Sequence, residues 1–109
     1  MTVNDFAKRT AFKVITMPAP EREIDGAYSG DLLSWVMGKA SAGNLWITIM
    51  SNVNIIAVAT LSELSAIILA EGVTLDGDVL KTAEAKGVNV LSSSLPAFEI
   101  AKLISGIIC

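Results

Sequence analysis

Four short clusters hold the residues of this chain best suited to binding a small molecule: Ser29, Gly30 and Asp31; Ser51, Asn52 and Asn54; Glu71 and Gly72; and Ser92, Ser93 and Ser94. Hydroxyls, amides and glycine-exposed backbone N–H groups are the chemistry of anion binding, above all where a loop opens a helix and leaves its first amides unpaired. The same residue types cap helices, and capping is the favoured reading for Ser51, Asn52 and Ser94. Asp31 is read the same way, as a cap for the helix that follows, with a place at the rim of a pocket beside Tyr28 and Ser29 as the alternative. A serine nucleophile needs a base beside it, and the chain has no histidine. The spacing of Lys39, Lys81, Lys86 and Lys102 singles out no substitute. Glu21, Glu23, Asp25 and Asp31 could form a carboxylate pair or a hard-metal site, but beside Pro18 and Pro20 they read as an exposed connection. No catalytic residue, metal or other cofactor is therefore expected.

The composition narrows the partners. The 109 residues are one domain's worth of chain, 52% hydrophobic and only 17% charged, against about 25% charged in an average soluble domain. With so little polar side chain to cover a small surface, some apolar surface is expected to meet a partner. A net charge of -3 gives no electrostatic footprint for nucleic acid. The lone thiol, Cys109, can make neither an internal disulfide nor a metal cluster. The start MTVNDFAKRT lacks the basic-then-apolar order of a signal peptide, so a cytoplasmic location is expected. Between Ala40 and Ser62 there are 23 residues without a charge, but Ser, Asn and Gly interrupt the run. A strand plus a helix is a better reading than a membrane span.

The elements that must position these clusters follow from periodicity. Thr2 can cap a helix through about Thr10, with Asp5 at its third position. FKVIT at 12–16 is a β-rich run, MPAPEREIDG at 17–26 a connection, and 24–28 a short strand. Leu32, Leu33, Val36 and Met37 have helical spacing, with Asp31 or Ser29 as the cap. LWITI at 45–49, AIILA at 66–70 and VNVL at 88–91 are apolar strands, each followed by a helix, at 55–64, 76–86 and 97–105. Trp35 and Trp46 read as core or interface anchors. This alternation predicts an α/β fold, a three-layer αβα sandwich with a mostly parallel central sheet covered on both faces. In such sheets ligands sit outside the carboxyl ends of the strands, where Met50–Asn54, Glu71–Thr74 and Ser92–Ser94 would lie.

Three blocks, GAYSGDLLSWVMGKASAGNLWITI, NIIAVATLSELSAIILAEG and VLKTAEAKGVNVLSSSLPAFEIAKLI, resemble the DRTGG domain family over residues 24–104. The last block is also similar to the N-terminal domain of HPr kinase/phosphorylase. The resemblance implies one domain over 1–109 with an HPr-kinase N-terminal-domain-like fold, acting as a homodimeric regulatory or interaction module. Stand-alone relatives are often encoded near iron-hydrogenase-like and histidine-kinase-like proteins, so the resemblance implies a partner protein in redox metabolism or signalling. Two departures stand out. The turn after the central strand reads SerAsnValAsn at 51–54 in place of an Asp-Arg-Thr-Gly-Gly-like signature, and no GxxxxGK[ST] loop is present. The leading expectation is thus a non-catalytic homodimer able to sense a small anionic, phosphate- or nucleotide-like ligand. The alternative is a small enzyme acting on a phosphorylated or nucleotide-like metabolite.

Overall fold

The computed structural model describes residues 1–108; Cys109 lies outside the described residues. In chain order the elements are α1 (Val3–Lys8), β1 (Lys13–Thr16), β2 (Ala27–Ser29), α2 (Leu33–Lys39), β3 (Leu45–Thr48), α3 (Asn54–Leu61), β4 (Ala66–Leu69), α4 (Gly77–Lys86), β5 (Val90–Ser92) and α5 (Ala97–Ile108). The five strands form one sheet in the order β1-β5-β4-β3-β2. β2, β3, β4 and β5 run parallel in register, Tyr28 beside Trp46, Trp46 beside Ile67 and Ile67 beside Val90. β1 pairs antiparallel with β5, placing Lys13 opposite Ser92, with a register irregularity between Val14 and Thr16.

The strands read as apolar runs because both faces are covered. Every residue of β3 and β4 is buried, and the period of two sends alternate side chains to opposite layers. Trp46, Ile67, Leu69 and Val90 meet Val36 of α2, Ile55, Ile56 and Ala59 of α3, and Val79 and Ala83 of α4. Leu45, Ile47, Ala66, Ile68 and Leu91 meet Val3 and Phe6 of α1 and Ile100 and Ile104 of α5. Each fully buried side chain of this size is worth roughly 1.5–3 kcal/mol relative to exposure. Because the parallel strands lie in chain order, their right-handed crossovers put α2, α3 and α4 on one face and leave α1 and α5 for the other. This is the expected three-layer α/β sandwich.

Local signals set the ends of the elements. Thr2 caps α1 as expected, its hydroxyl accepting from the Asp5 amide at 3.1 Å. Gly87 closes α4 at φ 72°, a left-handed conformation that costs glycine nothing. The connection through 17–26 is held by Asn89, whose fully buried amide group spans three backbone groups. Its Nδ2 donates to the carbonyls of Ala19, at 2.7 Å, and Ser65, at 3.0 Å, and its Oδ1 accepts from the Ala19 amide at 2.9 Å. The expected strand at 24–28 lies instead at Ala27–Ser29. Residues ahead of it are drawn off by other partners: the Ile24 amide donates to Met1 and the Asp25 amide to Gly43.

Candidate functional site

All four candidate clusters fall at the carboxyl edge of the parallel strands. Ser29, Gly30 and Asp31 end β2 and lead on toward α2; Ser51, Asn52 and Asn54 connect β3 to α3; Glu71 and Gly72 follow β4; and Ser92, Ser93 and Ser94 end β5 and lead toward α5. The crossovers all step in the same direction, so these loops form a row. They do not diverge around a central crevice of the kind that arises where strand order reverses. The row holds separate shallow hollows.

The loop after β2 is structural. Gly30 donates its amide to the Ile47 carbonyl at 3.1 Å and accepts from the Trp46 indole at 2.8 Å. Asp31 caps no helix. α2 begins after Leu32 with no side-chain cap bond among the described residues, and the Asp31 carboxylate turns to the end of β3, accepting from the Thr48 hydroxyl and the Ile49 amide. Those two donors at a strand end present the same chemistry as the first turn of a helix. Ser29 likewise caps nothing; it borders an apolar hollow of about 240 Å³ between β2 and α5.

After β3, Asn52 does serve the following helix. Its Oδ1 accepts from the Asn54 amide at 2.9 Å, which relieves one of the amides that α3 leaves unpaired. Ser51 and Asn52 line an open hollow of about 640 Å³ whose far wall carries Asp76 and Asp78. Two carboxylates opposite the helix start disfavour an anion there. Asn54 faces away from it, into an apolar groove of about 380 Å³ between α3 and α4.

The loops after β4 and β5 are stitched together. The Glu71 amide donates to Leu95, the Gly72 amide to Ser93 and the Ser93 amide to Leu69, each at 2.9 Å. Ser93 Oγ accepts from the Leu95 amide, so Ser93 is the serine that terminates its loop and Ser94 is left exposed. Glu71 and Gly72 both hold positive φ, 60° and 73°, which for a glutamate is a strained conformation. Beside them a hollow of about 350 Å³ is lined by Gly72, Ser92, Ser93 and Ser94, with Lys13 across from them on β1 and apolar walls from Phe12 and Leu103. Lys13 takes part in neither ion pair found among the described residues, which join the Met1 amino group to Glu23 and Lys102 to Glu99.

The site residues thus divide. Gly72 and Ser92–Ser94 come together with a cation, Ser51 and Asn52 face carboxylates, and Gly30, Asp31 and Glu71 act within the backbone. Lys13, Asp76 and Asp78 are the residues the sequence reading missed. Lys13 lies in a β-rich run that no local pattern marks as the antiparallel neighbour of β5. No group of three or more His, Cys, Asp or Glu side chains among the described residues converges to hold a metal ion. No helix among them is long and apolar enough to cross a membrane.

Comparison with known proteins places this architecture. The family model of the DRTGG domain matches residues 31–107. The chain belongs to the DRTGG domain family. A solved structure of the CBS and DRTGG domains of the regulatory region of Clostridium perfringens pyrophosphatase, complexed with its activator diadenosine tetraphosphate, is similar with a TM-score of 0.65 at 15% identity. The likeness covers 86% of this chain and 41% of that one, so this DRTGG chain spans well under half of the regulatory region it resembles. At that identity the shared feature is the fold. No curated protein matches the sequence significantly.

Proposed function

We propose that this DRTGG domain is a non-catalytic regulatory module that works as a homodimer and takes up a small anionic, phosphate- or nucleotide-like ligand at the carboxyl edge of its sheet. The observation that carries the ligand is the hollow between β1 and the loops after β4 and β5. There one lysine, three serines and a glycine surround a space with apolar walls, a cation and hydroxyls for a phosphate and a surface for a base or ribose. The similar pyrophosphatase region carries a nucleotide activator, which supports the same ligand class here. The reading as a module without catalysis rests on the residues present: no histidine in the chain, and an Asp31 carboxylate already committed to Thr48 and Ile49. Its signal would pass to a partner protein in redox metabolism or signalling.

Titration calorimetry with AMP, ATP, diadenosine tetraphosphate and inorganic phosphate tests this reading. Binding of at least one of them is expected, and Lys13→Ala should weaken it about tenfold, the size of one lost charge-assisted hydrogen bond. Failure of all four to bind, or binding indifferent to Lys13→Ala and Ser94→Ala, would remove the ligand from this hollow.

A further inference from the structure

The sheet has two free edges, and they are built differently. The β1 edge carries the exposed Lys13, an irregularity between Val14 and Thr16 and, two residues on, Pro18. These are the devices by which proteins keep an edge from recruiting another strand. The β2 edge has none of them: Gly26-Ala27-Tyr28-Ser29-Gly30 contains no charge, no proline and no bulge.

The backbone of β2 is open on that side. Bonds from Gly30 to Ile47 and from Leu45 to Gly26 show that Gly26, Tyr28 and Gly30 address β3. By the alternation of a strand, Ala27 and Ser29 point their N–H and C=O groups outward, and these have no partner among the described residues. We infer that this edge is the dimer interface, where a second copy of the chain adds its own β2 antiparallel about a two-fold axis through Tyr28. In that arrangement Ala27 faces the partner's Ser29 as a hydrogen-bonded pair, and Ser29 faces the partner's Ala27. All four outward groups are matched in each chain, and no other two-fold register does this.

The flanking helices fit the same occupant. A stable dimer needs roughly 800 Å² from each partner, about one seventh of this chain's 5587 Å², more than three strand residues can supply. On one face Leu32 and Trp35 occupy the side of α2 that the right-handed crossover turns outward over the β2 edge; they are 60% and 57% exposed. The Lys39 ammonium of that same side lies 4.9 Å over the Trp35 ring, so it is spent locally. On the other face α5 presents Ala101 and Ser105 beside the hollow along β2, small enough for close approach of a second α5, with Phe98, 70% exposed, one turn before Ala101. A two-fold axis perpendicular to the sheet brings α2 against α2 and α5 against α5. The strand itself carries no charge, but the exposed Asp25 and Asp31 that flank it fall opposite one another across the same axis, so association should strengthen with added salt.

This inference rests on the homodimer reading and is separable from it. Sedimentation of the full chain should show a dimer, and Ala27→Lys should raise its dissociation constant ~100-fold by forcing a long charged side chain into the close strand contact. In a Cys109→Ser background, Tyr28→Cys should cross-link under mild oxidation, because the axis puts position 28 opposite itself at a Cα distance of ~4.5 Å, within disulfide reach. Ser29→Pro, which removes one outward N–H and spares the β3 ladder, repeats the test should Ala27→Lys fail to fold. A wild-type dimer indifferent to these changes and without the cross-link overturns the interface and leaves the homodimer standing. A wild-type monomer overturns both, and leaves the β2 edge for a strand of another protein.

Discussion

The Asp31 carboxylate accepts hydrogen bonds from the Thr48 hydroxyl at 2.8 Å and the Ile49 amide at 3.0 Å, joining the turn after β2 to the end of β3. Thr48 Oγ1 accepts in turn from the Met50 amide at 3.1 Å, so one carboxylate sets the course of the chain into the α3 loop. Asp31→Ala leaves the buried Thr48 hydroxyl and a strand-end amide without their acceptor. It should destabilise the domain by about 1–3 kcal/mol, read as a lower urea midpoint, while Asp31→Asn keeps an acceptor and should recover part of the loss. An Asp31→Ala variant as stable as the wild type would show that water replaces the carboxylate without cost.

Asn89 makes a sharper case, because its whole side chain is buried. Ala19 and Ser65 are bound to it and to each other only through it. Asn89→Ala should therefore cost about 2–4 kcal/mol, the price of several unsatisfied buried groups. The connection 17–26 should also become the first site of proteolytic nicking at Arg22. Limited trypsin digestion read by mass spectrometry checks this, and cleavage at other sites first would assign the anchoring elsewhere.

The contrast between Asn89 and its neighbours explains what was readable in advance. β3 and β4 stand out because all eight of their residues are buried, and only a sheet covered on both faces makes such runs. β2 was displaced because Ala27-Tyr28-Ser29 carries no such pattern; its place is set by Gly30 and Leu45 bonding across to β3 and β2. Asp31 was misread because an acceptor next to a helix and an acceptor next to a strand end look alike until the strand is placed. The binding hollow depends on β1 arriving antiparallel beside β5, a long-range pairing with no local signature. One amide in the apolar run VNVL was the available hint of a buried anchor.

Two glycines with positive φ separate conformational cost from steric cost. At Gly87, φ 72°, a Cβ would meet nothing within 4 Å, so Gly87→Ala should cost only the left-handed backbone penalty, about 1–2 kcal/mol. At Gly43, φ 85°, a Cβ would lie 3.0 Å from Asp25 Cβ and 3.4 Å from its amide. Gly43→Ala should therefore cost more than Gly87→Ala, because the Asp25 backbone is itself bound to Gly43 and cannot move aside freely. Thermal melts of the two variants rank them; the reverse order would mean that the contact between Asp25 and Gly43 is pliant.

The two tryptophans report on the interior and the surface of the same helical layer. Trp46 is fully buried with its indole N–H on the Gly30 carbonyl at 2.8 Å, whereas Trp35 stands out from α2 beneath the Lys39 ammonium. Acrylamide should quench a Trp46→Phe variant, which retains Trp35, several-fold more strongly than a Trp35→Phe variant, which retains Trp46. Trp46→Phe should also lose about 1–2 kcal/mol, one hydrogen bond plus a small void. Dilution adds the decisive comparison. If the β2 edge joins two copies, Trp35 is shielded at high concentration and its quenching rises as the protein is diluted through the dimer dissociation constant, while Trp46 stays protected throughout. Quenching of Trp35 that is the same at every concentration, in a chain that sediments as a dimer, would put the contact on another face.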